Sequence, residues 1–225
     1  MATARSDPPP KRRTNYHHGN LRAAMIEAAI RLIEEKGAEA VTVREVARQA
    51  GVSSGAPFRH FASRKALMTA VAEEAMAKLR AEIEQQLAER SSDDPFAGLL
   101  ALAEAYVDWA VDHPTHYRVL GDRPLVDFYR SEALLRDNRW IRETMLALFA
   151  AARRRSLLRD CDVSLVAFQC RAMAYGLARM HVDAHLAEFG IAPEQARAAM
   201  IHALTEFLIG LARDPEAARR ATRRE

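Results

Sequence analysis

Apolar positions recur three and four residues apart along most of the chain, and no run alternates apolar and polar positions long enough for a strand. The first such run, LRAAMIEAAIRLIEEK, places Leu21, Met25, Ala28, Ala29, Leu32 and Ile33 on one face. It predicts a helix from about Leu21 to Lys36, with Asn20 as N-cap and Gly37 at C′. A second helix starts at TVRE, where Thr42 and Glu45 have the spacing of a capping box and Val41 and Val46 that of a hydrophobic staple. It is short, ending near Ala50 before the tight turn that Gly51 permits. A third, from about Ser54 to Phe61, is shorter still and tolerates Pro57 only in or beside its first turn. The fourth begins after Ser63 and runs to about Arg90.

SSDDP at 91–95 reads as a linker. Beyond it, apolar helical stretches are expected at 96–112, 115–121, 124–155, 163–188 and 193–212, punctuated by HP, GDRP, RDCD and FGIAP. The expected fold is all-α with about nine helices. Its domains would be an arm at 1–19, a small helical head at 20–70 and a larger helical body at 71–225.

Composition agrees with that diet, since Ala, Leu, Arg and Glu dominate and lose little side-chain freedom in a helix. At 225 residues and 49% hydrophobic, the chain has the material for a substantial core. Cys161 and Cys170 are too few for a disulfide framework and lack zinc spacing, so both are expected reduced and buried. MATARSDPPPKRR has no apolar core of a signal peptide. The apolar run from Ala97 to Val111 is interrupted by Glu104 and Asp108 and is too short to span a bilayer. A cytoplasmic protein without a membrane partner is the expectation.

Charge changes the picture more. The chain carries only +3 overall, yet residues 1–80 hold 14 Lys/Arg against 8 Asp/Glu. A basic front on a mildly acidic body points to a polyanion met at one end only. Within that front, the 27 residues from Val46 to Ala72 contain no Asp or Glu, while Arg48, Arg59, His60, Arg64 and Lys65 fall among them. A merely solvated helical face mixes signs; an acid-free one suits phosphates, which repel carboxylates. Arg64 and Lys65 also sit in a first helical turn, where the macrodipole favours acids, and there they would make a phosphate seat with the free amides. Two short helices about a glycine turn, the second basic, have the form of a helix-turn-helix.

TVREVARQAGVSSGAPFRHFASRKAL closely resembles the DNA-binding segment of TetR-family transcriptional regulators, and YHHGNLRAAMIEAAIRLIEEKG resembles that family's first helix. The resemblance covers about Asn15 to Ala75. It implies an all-helical homodimer with a three-helix DNA-binding head, a connecting fourth helix and a ligand-sensing body. By position, Thr42 would cap its helix and touch a phosphate, and Arg44 would reach a base or a phosphate. Ser53, Ser54, Gly55, Ala56, Arg59 and His60 would face the major groove, with Arg59 on guanine O6 and N7. For His60 a packed, hydrogen-bonded histidine is an equal alternative. Phe58 stands where the family often has Tyr and lacks its hydroxyl; Arg64 and Lys65 would hold the DNA backbone. Phe61, Val46, Ala47 and Val52 are expected in the core. Lys11, Arg12 and Arg13 either enter a minor groove or are simply solvated.

DHPTHYRVL at 112–120 resembles the family branch with a Trp-His-Gly signature, although Arg171, Tyr175 and Gly176 stand where that signature would be. The last two long helices would pair across the two-fold, and Met200, Ala203, Leu204, Phe207, Leu208 and Leu211 form an apolar stripe for it; burial within one chain is the alternative. Ligand-pocket candidates are Trp109, His113, Tyr117, Phe128 and Trp140, together with Phe149, Phe168, Met173 and Tyr175. By pattern, side chains at helical spacing are core more often than pocket wall. His181 and His185 stand at i,i+4, but no third ligand accompanies them, so no metal and no cofactor are expected.

These readings make a regulator that binds a palindromic double-stranded operator and is released by a small molecule. An effector-free architectural DNA-binding protein is the alternative. Enzyme readings lack a nucleophile elbow, a phosphate loop or paired catalytic carboxylates.

Overall fold

A computed structural model describes residues 21–52, 57–90 and 93–222. The expected arm at 1–19 and the expected cap at Asn20 lie outside them. Nine α-helices form among the described residues: α1 Leu21–Lys36, α2 Val43–Gln49, α3 Arg64–Glu89, α4 Pro95–Asp112, α5 Pro114–Gly121, α6 Glu132–Arg154, α7 Val163–Val182, α8 Ala196–Leu211 and α9 Pro215–Thr222. Their starts are set by short polar side chains that satisfy first-turn amides. Thr42 Oγ1 accepts from Glu45 N at 3.1 Å, Ser63 Oγ from Ala66 N at 3.1 Å and Asp94 Oδ1 from Phe96 N at 2.9 Å.

The chain leaves α2 by a Schellman arrangement. Gly51 N bonds Arg48 O at 3.2 Å and Val52 N bonds Ala47 O at 3.0 Å, with Gly51 at φ 70°. Only glycine takes that left-handed position without strain. The other close approach is Gly98 on α4, where an added Cβ would stand 2.8 Å from a methyl of Leu148 on α6.

α3 is the shared strut. It packs on α1 in the head and on α4, α5 and α6 in the body, and α4 in turn packs on α6, α7 and α8. One hydrophobic core runs from Leu21 in α1 to Leu211 in α8 through this strut. The expected boundary near residue 70 therefore falls inside a continuous helix.

Several expectations need correction. The stretch expected as one helix at 124–155 breaks: Arg123–Leu125 and Phe128–Arg130 are single 3₁₀ turns, and α6 starts only after Ser131, which caps Leu134 N at 3.2 Å. Pro124 and the cap outweigh the apolar period. The 163–188 stretch ends early at Val182, since Ala184 adopts φ 61° and the chain passes into a 3₁₀ segment at His185–Phe189. His181 and His185 thus sit on different elements, and no cluster of three metal-ligating side chains occurs among the described residues. α9 has no counterpart among the expected elements, although Asp214 before Pro215 is a start signal, and Asp214 Oδ1 accepts from Ala217 N at 2.9 Å. Cys170 is buried, and burial pushes its thiol up to about 11; Cys161 is only half-buried.

The stripe expected to pair two chains is interior. Met200 and Leu204 pack with Ala103 and Val107 of α4, and Leu208 and Leu211 join the main core. Phe207 is partly buried beside them. Of the long helices, α7 turns large apolar side chains outward: Leu165, Phe168 and Tyr175 are 52, 67 and 45% exposed. No helix among the described residues is long and apolar enough to cross a membrane.

Candidate nucleic-acid interface and interior cavity

The head buries the side chains expected in its core. Val46, Ala47 and Phe61 are at most 2% exposed, and Val52 packs against them. Val41 and Val46 are fully buried on either side of the Thr42 cap, as a staple requires. Only half of the capping box forms. The Glu45 carboxylate turns outward to Arg48, with Nη2–Oε1 at 2.6 Å, and to Lys36 at 3.6 Å. The Arg48 hydrogen bond holds the Glu45 carboxyl down at about 2, and Lys36 adds to it.

The turn Pro57–Arg59 packs on α2 and is closed by His60 N and Phe61 N, each bonding Pro57 O at 2.9 Å. With Pro57 and Phe61 buried as its feet, Phe58, Arg59 and His60 are all exposed. Arg44, on the first turn of α2, is exposed too. Neither Arg44 nor Arg59 has a hydrogen bond or ion pair among the described residues. Ser53, Ser54, Gly55 and Ala56 lie outside the described residues.

The acid-free stretch is not an acid-free surface, because partners arrive from elsewhere in the fold. Arg48 is taken by Glu45. Arg64, expected at the DNA backbone, is committed inside the protein: its Nε donates to Val41 O and its Nη2 to Ala38 O, both at 2.9 Å. Those carbonyls belong to the connection that aims α2. Lys65 pairs with Asp127 of the body at 2.8 Å. That pair is exposed on both sides, so exchanging Asp127 for a phosphate costs little. Among the described residues of the head, the cations without protein partners are Arg44 and Arg59, one on each element of its outer face.

In the body, α3, α4, α5, α6 and α7 line a cavity of about 390 Å³ that is open on one side. Four of the nine candidates line it: Trp109, Tyr117, Phe168 and Tyr175. The other five do not. Phe149 is fully buried in the core, Phe128 lies beneath Arg123, Trp140 stacks under Arg80, Met173 packs in the smaller cluster, and His113 faces His116. The apolar pattern does not distinguish a wall from a core; only the spacing between helices does.

Tyr106, Met145, Arg123 and Arg171, none of them a pocket candidate by pattern, also line the cavity. The Tyr117 hydroxyl donates to Tyr175 O at 2.8 Å. Burial pushes the phenols of Tyr106, to about 12, and of Tyr117 above their ordinary range, so both remain protonated donors at neutral pH. Trp109, 2% exposed, has an Nε1 with no hydrogen-bond partner among the described residues.

Residues 25–71 match the family described as "Bacterial regulatory proteins, tetR family", and residues 99–207 match "Tetracyclin repressor-like, C-terminal domain". Among known proteins, the HTH-type transcriptional regulator Rv1816 of Mycobacterium tuberculosis is 26% identical over 109 residues, which is 48% of this chain and 47% of that protein. The chain thus spans about half the length of the curated relatives it matches. A protein of unknown function from Rhodococcus sp. RHA1 superposes with a TM-score of 0.73 at 27% identity, covering 88% of this chain and 99% of that one. The TetR family transcriptional regulator PfmR from Thermus thermophilus shares the fold, with a TM-score of 0.67 at 20% identity over 82% of this chain and 96% of its own.

Proposed function

We propose that this chain, which belongs to the tetR family of bacterial regulatory proteins, is a sequence-specific DNA-binding repressor released from its operator by a small molecule. One observation carries the DNA half of the reading: Arg59 stands exposed and unpartnered on the turn after Gly51, beside exposed Phe58 and His60. An unneutralised guanidinium on a rigid, core-anchored turn is what bidentate reading of a guanine needs. In this reading Arg44, Thr42 and Lys65 serve as phosphate contacts, and the groove is assigned to Ser53, Ser54, Gly55 and Ala56 by the family resemblance alone.

One head reads one half-site, so a palindromic operator needs two copies. The outward apolar face of α7, one of the two helices expected at the two-fold, supports a homodimer formed through α7. Leu165→Glu is expected to shift the protein toward monomer in sedimentation equilibrium and to weaken operator binding. An unchanged dimer would place the interface elsewhere.

The cavity supports the effector half. A ligand releases the operator only if it binds the non-DNA conformation better, because equal affinity for both shifts nothing. Selection of bound duplexes from random oligonucleotides tests the reading directly, and recovery of no palindrome above non-specific binding at physiological salt would sink it. In the selected site, Arg59→Ala is expected to cost about 1–3 kcal/mol and to relax preference at one base pair. Equal loss on specific and random DNA, measured by anisotropy, would contradict base reading.

A further inference from the structure

The polar groups around the body cavity carry one sign. Arg123 and Arg171 border it, and no Asp or Glu does. Neither guanidinium has a carboxylate partner among the described residues. Arg171 Nη2 donates to the neutral Asn138 Oδ1 at 2.7 Å, and Arg123 lies over the Phe128 ring, 3.4 Å from its centroid. Some arginines of the body are held by acids, Arg80 by Asp137, Arg197 by Asp108 and Asp112, and Arg219 by Glu206, whereas Arg118, like Arg171, meets a neutral acceptor, the Val182 carbonyl. What sets Arg123 and Arg171 apart is that both border the cavity. Burial lowers the Arg123 pKa first, and the charge of Arg171 lowers it further, so the two cations sense each other. Two like charges beside an apolar hollow cost free energy that an arriving anion recovers.

A second feature points to a ligand independently. The Trp109 indole lines the same cavity, is 2% exposed, and leaves its N–H unbonded, which a buried donor rarely does. The aromatic rings of Tyr106, Trp109, Tyr117 and Tyr175 would suit a cation by themselves. Arg123 and Arg171 repel one.

We propose that the cavity takes an amphipathic organic carboxylate, with its acid group between Arg123 and Arg171, its apolar body along Leu102 and Met145, and an acceptor oxygen at the Trp109 N–H. This deepens the effector half of the function above and rests on it. Arg123 also borders the cleft where Ile33, Gly37 and Ala38 at the end of α1 face the body, so an acid that draws Arg123 toward the cavity acts on the seat of the head.

The chain has only two tryptophans. A Trp140→Phe background therefore leaves Trp109 as the sole indole, reporting occupancy by its emission. Straight-chain carboxylates from hexanoate to tetradecanoate and 2-naphthoate are titrated, alongside their primary amides and tetraethylammonium. The expected result is saturable binding of at least one acid, with its amide weaker by about tenfold or more. In Arg123→Gln/Arg171→Gln the acid falls to the level of its amide while the amide is unchanged. The proposal is overturned if no acid in the series binds, if amide or tetraethylammonium binds as tightly as the best acid, or if the double variant keeps its preference for the acid. Operator affinity, measured on the same preparations without ligand, separates the two claims. Intact DNA binding with any overturning result leaves the regulator standing, and loss of DNA binding speaks against the head alone.

Discussion

Arg80→Ala is expected to destabilise the protein by about 3 kcal/mol at neutral pH, and by less in acid. The reason is the carboxylate it would strand. Asp137 on α6 is a charged residue 3% exposed, held by Arg80 Nη1 at 3.0 Å and by Arg136 Nε and Nη2 at 2.9 and 3.0 Å. Arg80 comes from α3, also bonds Glu84 at 2.8 Å, and lies 4.8 Å from the centroid of the Trp140 ring. Removing it leaves a buried charge with one surface partner, the situation in which losing half of a buried pair costs most. Burial raises the Asp137 carboxyl, but the hydrogen bonds from Arg136 and Arg80 outweigh it and hold the group below its ordinary value. A depressed carboxyl contributes stability above its unfolded pKa, and that contribution is lost as pH falls through the folded value. Without Arg80, burial is opposed by Arg136 alone and the carboxyl rises from its depressed value. The variant is then penalised at neutral pH and relieved on protonation. Urea melts at fixed protein concentration should show the gap to wild type narrowing as pH falls from about 5 to below about 4, and Asp137→Asn should rescue Arg80→Ala. A gap independent of pH would mean the pair is not what holds α3 to α6.

Arg64→Ala should cost about 2–3 kcal/mol of stability, since two charge-assisted bonds to carbonyls are lost. Val41, which supplies one of those carbonyls, is fully buried and immediately precedes the Thr42 cap. Loosening it frees the entry of α2, so faster amide exchange in α2 should accompany the lower melting temperature. The salt dependence of DNA binding decides between this role and a phosphate contact. A fastening leaves the slope of log K against log salt unchanged, whereas one lost phosphate contact flattens it by about one. A flattened slope with unaltered stability would return Arg64 to the DNA backbone.

The order of the helices, the staple of Val41 and Val46, the glycine turn and the burial of Phe61 are all local matters. Helical period, caps and φ above zero act within a few residues, so the amino-acid order alone determines them. The resemblance of TVREVARQAGVSSGAPFRHFASRKAL to a known DNA-binding head is equally a property of that order. Pairing across the chain is another matter. Whether Arg64 meets a phosphate or the carbonyls of Ala38 and Val41 depends on residues 26 and 23 positions away. Which face of α8 is interior depends on α4, and which aromatics bound a hollow depends on how far apart five helices stand. The acid-free run from Val46 to Ala72 shows the reason most plainly. Charge along a chain is read by neighbours in sequence, but neutralisation happens between neighbours in space, and Asp127 reaches Lys65 only because the fold brings the body against the head.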